Sequence, residues 1–245
     1  MRLLEPLTPD PRAPLARAHP LAKIGAAFVL MVALFLTVDP VTPALVLIAV
    51  AAAVPAVGIP PGALLRRAAP VFIAALGIGF FNAVVSGSVA AGVAIAIRLV
   101  GISLAGIVAL ASIDPTEMAD ALVEHLHAPR RFVVGALAAF RLVPLFADEW
   151  ETIALARRAR GLDSRRVSAF FTMTRTLLVS AIRRATRLAT AMDGRGFADP
   201  GCRTLARPRA IDTRDWSLIV AAFAVAILAS AASILAGSWR FFLAR

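Results

Sequence analysis

Apolar runs broken by brief turn signals fill the first 113 residues. Leu21–Val38, Val41–Val57, Ala68–Val85 and Val89–Ile113 each approach the roughly 20 apolar residues that cross a bilayer. A last run, Trp216–Ala236, closes the series. Asp39-Pro40, Gly58-Ile59-Pro60-Pro61-Gly62 and Ser86-Gly87-Ser88 punctuate the runs as turns. Between the fourth and fifth runs the pattern changes. Asp114 to Asp215 is too long for an idle loop, and its apolar residues recur at helical spacing. The pattern predicts an all-α membrane protein. About five transmembrane helices carry a helical cytoplasmic insert between the last two. Residues 1–113 form the N-terminal membrane part, 114–215 the insert, and 216–245 the last span and an outer tail.

Three insert helices are expected. The first starts at Pro115 with Asp114 or Ser112 as its cap, and Met118, Leu122 and Leu126 form its apolar stripe. The second runs from Arg131 to about Arg160, and Pro144 kinks or restarts it. Its stripe is Leu142, Phe146, Trp150 and Ile153. The third covers about Arg175 to Asp193 and is two-sided. Arg175, Arg183, Arg184 and Arg187 lie on one half, opposite Leu177, Leu178, Ala181, Ile182, Ala185, Leu188, Ala189 and Met192. Such a helix suits an anionic leaflet or packing on its neighbours.

Composition agrees with the pattern. The chain is 60% hydrophobic with mean hydropathy +0.81, against about 45–50% apolar for soluble domains. The net charge of +11 is concentrated: Arg141 to Arg214 holds fifteen Arg against seven Asp or Glu. Five spans put the termini on opposite sides. With the N-terminus inside, the inner segments carry 23 basic residues and the outer only Arg240 and Arg245. The long, proline-rich lead is not expected to be a secretory signal. Lys23 stands at the edge of the first span, where it can snorkel. Arg98 lies inside the fourth, where an Arg costs about 2.5–3.5 kcal/mol on insertion scales. A conduit, a partner contact, an interhelical hydrogen-bonding role and, with a shifted span, snorkelling are all open for it.

The same charge distribution removes other classes. A pI near 11.7 suits nucleic-acid binders, but no aromatic-basic interleaving is present and Tyr is absent. The lone Cys202 is expected as a free thiol. His125 and His127, two apart on a helix, point away from each other, and His19 is isolated, so no metal site is expected. A P-loop needs Gly-Lys-Ser/Thr, and the only lysine, Lys23, follows Ala22. ATP, if used, belongs to partner subunits. The chain itself needs no cofactor and is not expected to be an enzyme. Asp193 and Asp199 do not make an intramembrane lipid-modifying enzyme, because Gly196 and Pro200 interrupt their spacing. A stand-alone permease should show repeated halves or polar midplane residues, and only Arg98 and Asn82 qualify.

Two basic tips remain. "RRARGLD" contains Ala159, Arg160 and Gly161, and "AMDGRGF" contains Gly194, Arg195 and Gly196. Gly161 and Gly196 suit the left-handed position just past a helix end, so Arg160 and Arg195 should terminate two helices. The helix dipole tolerates a cation there. A guanidinium offers five donors in a fixed fork to a partner's carboxylates or carbonyls. Ordinary arginine-rich helix ends would read the same way.

At these residues the chain resembles the transmembrane T component of energy-coupling factor (ECF) transporters, the EcfT/CbiQ family. That family carries two Ala-Arg-Gly-type motifs at the ends of long coupling helices. "HPLAKI" (His19–Ile24), "DPTEMADAL" (Asp114–Leu122) and "FRLVPLFADEWETIALA" (Phe140–Ala156) are also similar to it. Gly194 departs from the family's usual Ala. The resemblance implies a coupling subunit that joins two cytoplasmic ABC-type ATPases to a substrate-binding membrane S component. Ala159, Arg160, Gly161, Gly194, Arg195 and Gly196 would contact the ATPases. The imported substrate would be a vitamin, a vitamin precursor, or cobalt or nickel ions.

Overall fold

In the computed structural model, residues 13, 15–37, 39–162, 167–197 and 209–237 are described. The described residues form helices joined by turns, and the protein is an all-α membrane protein. Five helices are apolar: α1 (Pro20–Leu36), α2 (Val41–Val57), α3 (Pro61–Ser86), α4 (Val89–Ala111) and α8 (Thr213–Leu235). Three others lie between the last two: α5 (Pro115–His125), α6 (Arg130–Ala159) and α7 (Val167–Gly194). The chain divides into two compact units, Met1–Met118 with Arg209–Arg245, and Ala119–Pro208.

In the first unit, α3, α4 and α8 are long and apolar enough to cross a membrane. α1 and α2 have 17 residues each. At 1.5 Å per residue they reach about 25 Å, the short end of what a bilayer core of about 30 Å accepts. The turn residues account for the boundaries. His19 caps α1 with Pro20 at its first position, and Gly58 and Gly87 adopt left-handed conformations after α2 and α3. α3 starts seven residues before its expected position, because Pro61 opens the helix and carries it through Pro70. Arg66 and Arg67 therefore belong to its first turns.

Lipid tails are as apolar as Leu, so apolar burial alone does not hold such helices together, and close packing must. The small residues supply it. A Cβ on Gly92 would meet the Gly79 carbonyl oxygen at 2.4 Å and the Ala83 Cβ at 2.6 Å, so α3 and α4 touch backbone to backbone. Between α1, α2, α4 and α8, the buried core gathers Leu34, Val46, Val50, Leu104, Val108 and Ala229.

The second unit is thin. α6 runs unbroken through Pro144, so the proline does not restart it. α7 begins eight residues earlier than its periodicity suggested. The two helices meet along the expected α6 stripe. Trp150 stacks edge-on with Phe170 at 5.5 Å, and the Arg184 guanidinium lies over Phe146 at 5.7 Å. Glu149 accepts a hydrogen bond from Ser180 and pairs with Arg184 at 3.4 Å. α7 is two-sided as expected, and one residue of its basic half meets α6. Arg184 turns toward α6, while Leu178, Ile182 and Leu188 of the apolar half are exposed. A glutamate and an aromatic ring on α6 draw that guanidinium toward them, and its side chain stays 40% exposed. In α5 the cap is Asp114, which accepts from the Thr116 N–H at 2.6 Å, while Ser112 ends α4. Leu126 lies past the end of α5 and is exposed, so the packed residues are Ala119 and Ala121.

Candidate functional site

The two tips form by the same local chemistry. The last four carbonyls of any helix lack intrahelical partners. After α6, Arg160 is the cap residue and Gly161 turns left-handed at φ 71°. The Gly161 N–H then donates to the Arg158 carbonyl at 3.0 Å, and the Leu162 N–H to the Arg157 carbonyl at 3.0 Å. After α7, Gly196 takes φ 70°. Its N–H donates to the Asp193 carbonyl at 2.9 Å, and the Phe197 N–H to the Met192 carbonyl at 3.0 Å. Both ends are Schellman motifs with Arg at the cap, Gly at C′ and an apolar residue at C″. A residue with a Cβ is strained at such φ, which explains the glycine at each tip.

Arg160 and Arg195 are exposed in this chain. Each therefore presents its fork from a closed helix end, one residue beyond the last helical position. Gly194 is the last residue of α7, and a side chain there would meet nothing within 4 Å. Its departure from Ala leaves no packing gap and costs only helix propensity.

Arg98 is half-buried on α4. Its Nε has no hydrogen-bond partner among the described residues, and neither has Oδ1 of Asp39. One turn further along α4, a Cβ on Gly101 would meet Leu34 at 3.3 Å and the Pro43 carbonyl at 3.9 Å, so this face looks onto the α1–α2 corner. There the Asp39 Oδ2 accepts from the Thr42 N–H and hydroxyl, both at 2.7 Å, and from the Ser233 hydroxyl at 2.5 Å. Sequence reasoning treated Asp39 as a turn residue and missed this cluster. Adjacency to Pro40 reads only as a turn, and Ser233 is 194 positions away.

A second cluster was also missed. Lys23 does not snorkel. Its side chain is buried, and Nζ donates to the carbonyls of Ala16 at 2.8 Å and Ser112 at 2.7 Å. His19 is 1% exposed, and its backbone N–H donates to Asp215 at 2.6 Å. Asp215 closes a capping box with Asp212 at the start of α8. The "HPLAKI" stretch was the signal, but its partners stand 89 and 196 positions away. His125 ends α5 and His127 has φ 51°. Cys202, Asp199 and Pro200 lie outside the described residues, as do Arg240 and Arg245.

Comparison with known proteins places this architecture. The family model for CbiQ, described as cobalt transport protein, matches residues 11–204. The energy-coupling factor transporter transmembrane protein EcfT of Bacillus subtilis is 31% identical over 164 residues, 62% of each chain. EcfT of Limosilactobacillus fermentum is 36% identical over 132 residues, 48% of this chain and 49% of its own. EcfT of Exiguobacterium sibiricum is 37% identical over 94 residues, 36% of each chain. The matched segments thus cover less than two thirds of these relatives' length. A family model that spans both tips and four of the five apolar helices shows that the chain belongs to the CbiQ family, that of the transmembrane T components of ECF transporters.

Proposed function

We propose that the chain is the coupling subunit of an ECF-type importer. In this reading α6 and α7 transmit the ATP-driven closure of two cytoplasmic ABC-type ATPases to a substrate-binding membrane S component. The N-terminus and the α5–α7 region lie in the cytoplasm, the side the arginine distribution favours, and the C-terminus lies outside. ATP is bound by the partners. The substrate is a vitamin, a vitamin precursor, or a cobalt or nickel ion, and the S component selects it. Ala159, Arg160, Gly161 and Gly194, Arg195, Gly196 are the ATPase contacts.

The repeated helix end carries this reading. Two unrelated helices stop with the same backbone bonds and hold the same exposed residue at the same place. Symmetric tips suit a pair of like sockets, which two ATPase subunits supply. The exposed apolar residues of α7, Leu178 and Ile182 among them, suit a membrane partner. The name of the relatives, as transporter transmembrane components, agrees with a subunit of a larger complex.

The test is to purify the chain from its native membrane in mild detergent and identify its companions. Two ABC-type ATPases and a small hydrophobic protein are expected, and the ligand on that protein names the substrate. A chain that comes out alone, with transport or enzymatic activity of its own, overturns the reading in favour of a permease or a lipid-modifying enzyme.

A further inference from the structure

The chain leaves the first unit after Met118 and re-enters it at Arg209. Both crossing points are fastened to one short N-terminal segment. On the outgoing side, the Ser112 carbonyl at the end of α4 accepts from the Lys23 ammonium at 2.7 Å. On the returning side, Asp215 in the first turn of α8 accepts the His19 N–H at 2.6 Å. A cation thus sits at a helix C-terminus and an anion at a helix N-terminus, each where the helix dipole favours it. Both bonds are charge-assisted and buried, the strong kind. A second, exposed layer repeats the arrangement. Arg209 pairs with Glu117 at 3.0 Å and donates to the Arg17 carbonyl. The segment is itself anchored, since the Leu15 N–H donates to the Ala56 carbonyl at the end of α2 at 3.0 Å.

We propose that the Arg17–Lys23 segment is the fulcrum of the coupling stroke: through Lys23, His19 and Arg209 it holds the outgoing and returning crossings in register, so that force on α6 and α7 reaches the bundle instead of being lost in sliding connections. The proposal rests on the coupling function above. Lys23, His19, Asp215 and Arg209 are positioning residues and touch neither ATP nor substrate. A lever needs a fixed point, and an unanchored connection of a few residues would absorb displacement by rotating its backbone. The buried location also supplies a reason for the charge. Lys23 offers several donors to carbonyls whose helix or turn leaves them unpaired, which no apolar side chain can do.

The experiment uses the purified complex with its ATPases, Cys202→Ser, and spin labels on cysteines replacing Glu151 on α6 and Val89 on α4, both exposed. Pulsed dipolar spectroscopy reads the label distance before and after trapping with Mg-ATP and vanadate. Without the fulcrum substitution, a narrow distance distribution is expected to shift on trapping. With Lys23→Met, the complex should still hold its ATPases and hydrolyse ATP within about twofold, while the shifted distribution broadens at least about twofold. Lys23→Arg should restore the narrow shift. An unchanged narrow shift in Lys23→Met overturns the fulcrum and leaves the coupling function standing. If no ATPase accompanies the chain, the coupling function falls and the fulcrum falls with it. Should Lys23→Met fail to assemble, a reducible thiol-to-thiol cross-linker joining Glu117→Cys and Arg209→Cys decides. A fixed pivot tolerates that cross-link, with the shift intact. Loss of the shift on cross-linking, reversed by reductant, means that the crossings must separate, and overturns the proposal.

Discussion

The membrane bundle and the α6–α7 pair use similar residues to opposite ends. In the bundle, glycines and alanines bring backbones into contact, and buried polar groups tie distant helices together. Asp39 joins the α1–α2 corner to α8, and Lys23 joins the start of α1 to the end of α4. In α6 no residue is buried, and in α7 only Ala169 and Met173 are. The bundle satisfies most of its buried polar groups internally, with Arg98 Nε and Asp39 Oδ1 left over among the described residues. The long helices close their ends through the Schellman bonds, meet each other along one stripe, and leave Arg160 and Arg195 exposed at the tips. The difference teaches where each kind of damage should appear. Changes in the bundle should lower stability, and changes on α6 and α7 should lower assembly with little effect on the isolated chain.

The strongest break with that division comes at the tips. Arg160→Glu combined with Arg195→Glu should cut recovery of the ATPases in co-purification by tenfold or more, in line with the roughly 2–5 kcal/mol for losing one partner of a buried charge pair. The thermal midpoint of the isolated chain in detergent should stay put, because both side chains are exposed. A large drop in that midpoint would put the arginines inside the fold instead.

In the bundle, Gly92→Leu should destabilise by about 1–3 kcal/mol, the usual range for overpacking, because the new Cβ meets backbone as well as a side chain. Gly77→Leu serves as the control, since nothing lies within 4 Å of its would-be Cβ. Chemical unfolding in mixed micelles compares the two, and equal effects would refute backbone contact between α3 and α4.

Asp39→Ala should cost about 1–3 kcal/mol in the same assay. It removes the acceptor of the Thr42 N–H and one acceptor of the Thr42 and Ser233 hydroxyls. Combined with Arg98→Gln, the loss should be less than additive if Asp39 serves as the counter-charge of Arg98. Strict additivity would separate them.

The smallest effects sharpen the picture of the helix ends. Gly161→Ala forces a Cβ into a left-handed position and should loosen the last turn of α6 by about 1 kcal/mol. Gly194→Ala acts in the opposite direction, stiffening the end of α7 by up to about 1 kcal/mol with no steric cost. Hydrogen exchange at the last amides of each helix measures both. Faster exchange in Gly194→Ala would contradict a helical conformation there.

The sequence by itself determined the features that depend on near neighbours along the chain. Apolar runs of 17 or more residues separated by Pro and Gly marked five apolar helices, three of them long enough to cross a membrane, since backbone bonding in lipid leaves little alternative to a helix. The two Arg-Gly endings were legible because a C′ glycine and its hydrogen bonds span only six residues. Tertiary structure alone decided the partners of the charged groups. Lys23 read as a snorkelling residue until Ser112 stood beside it, Asp39 read as a turn until Ser233 did, and Arg184 read only as part of a basic half-helix until Glu149 and Phe146 stood beside it. Helical periodicity reports which side of a helix a residue occupies. It does not report which neighbour covers that side, and a buried charge is settled by the neighbour.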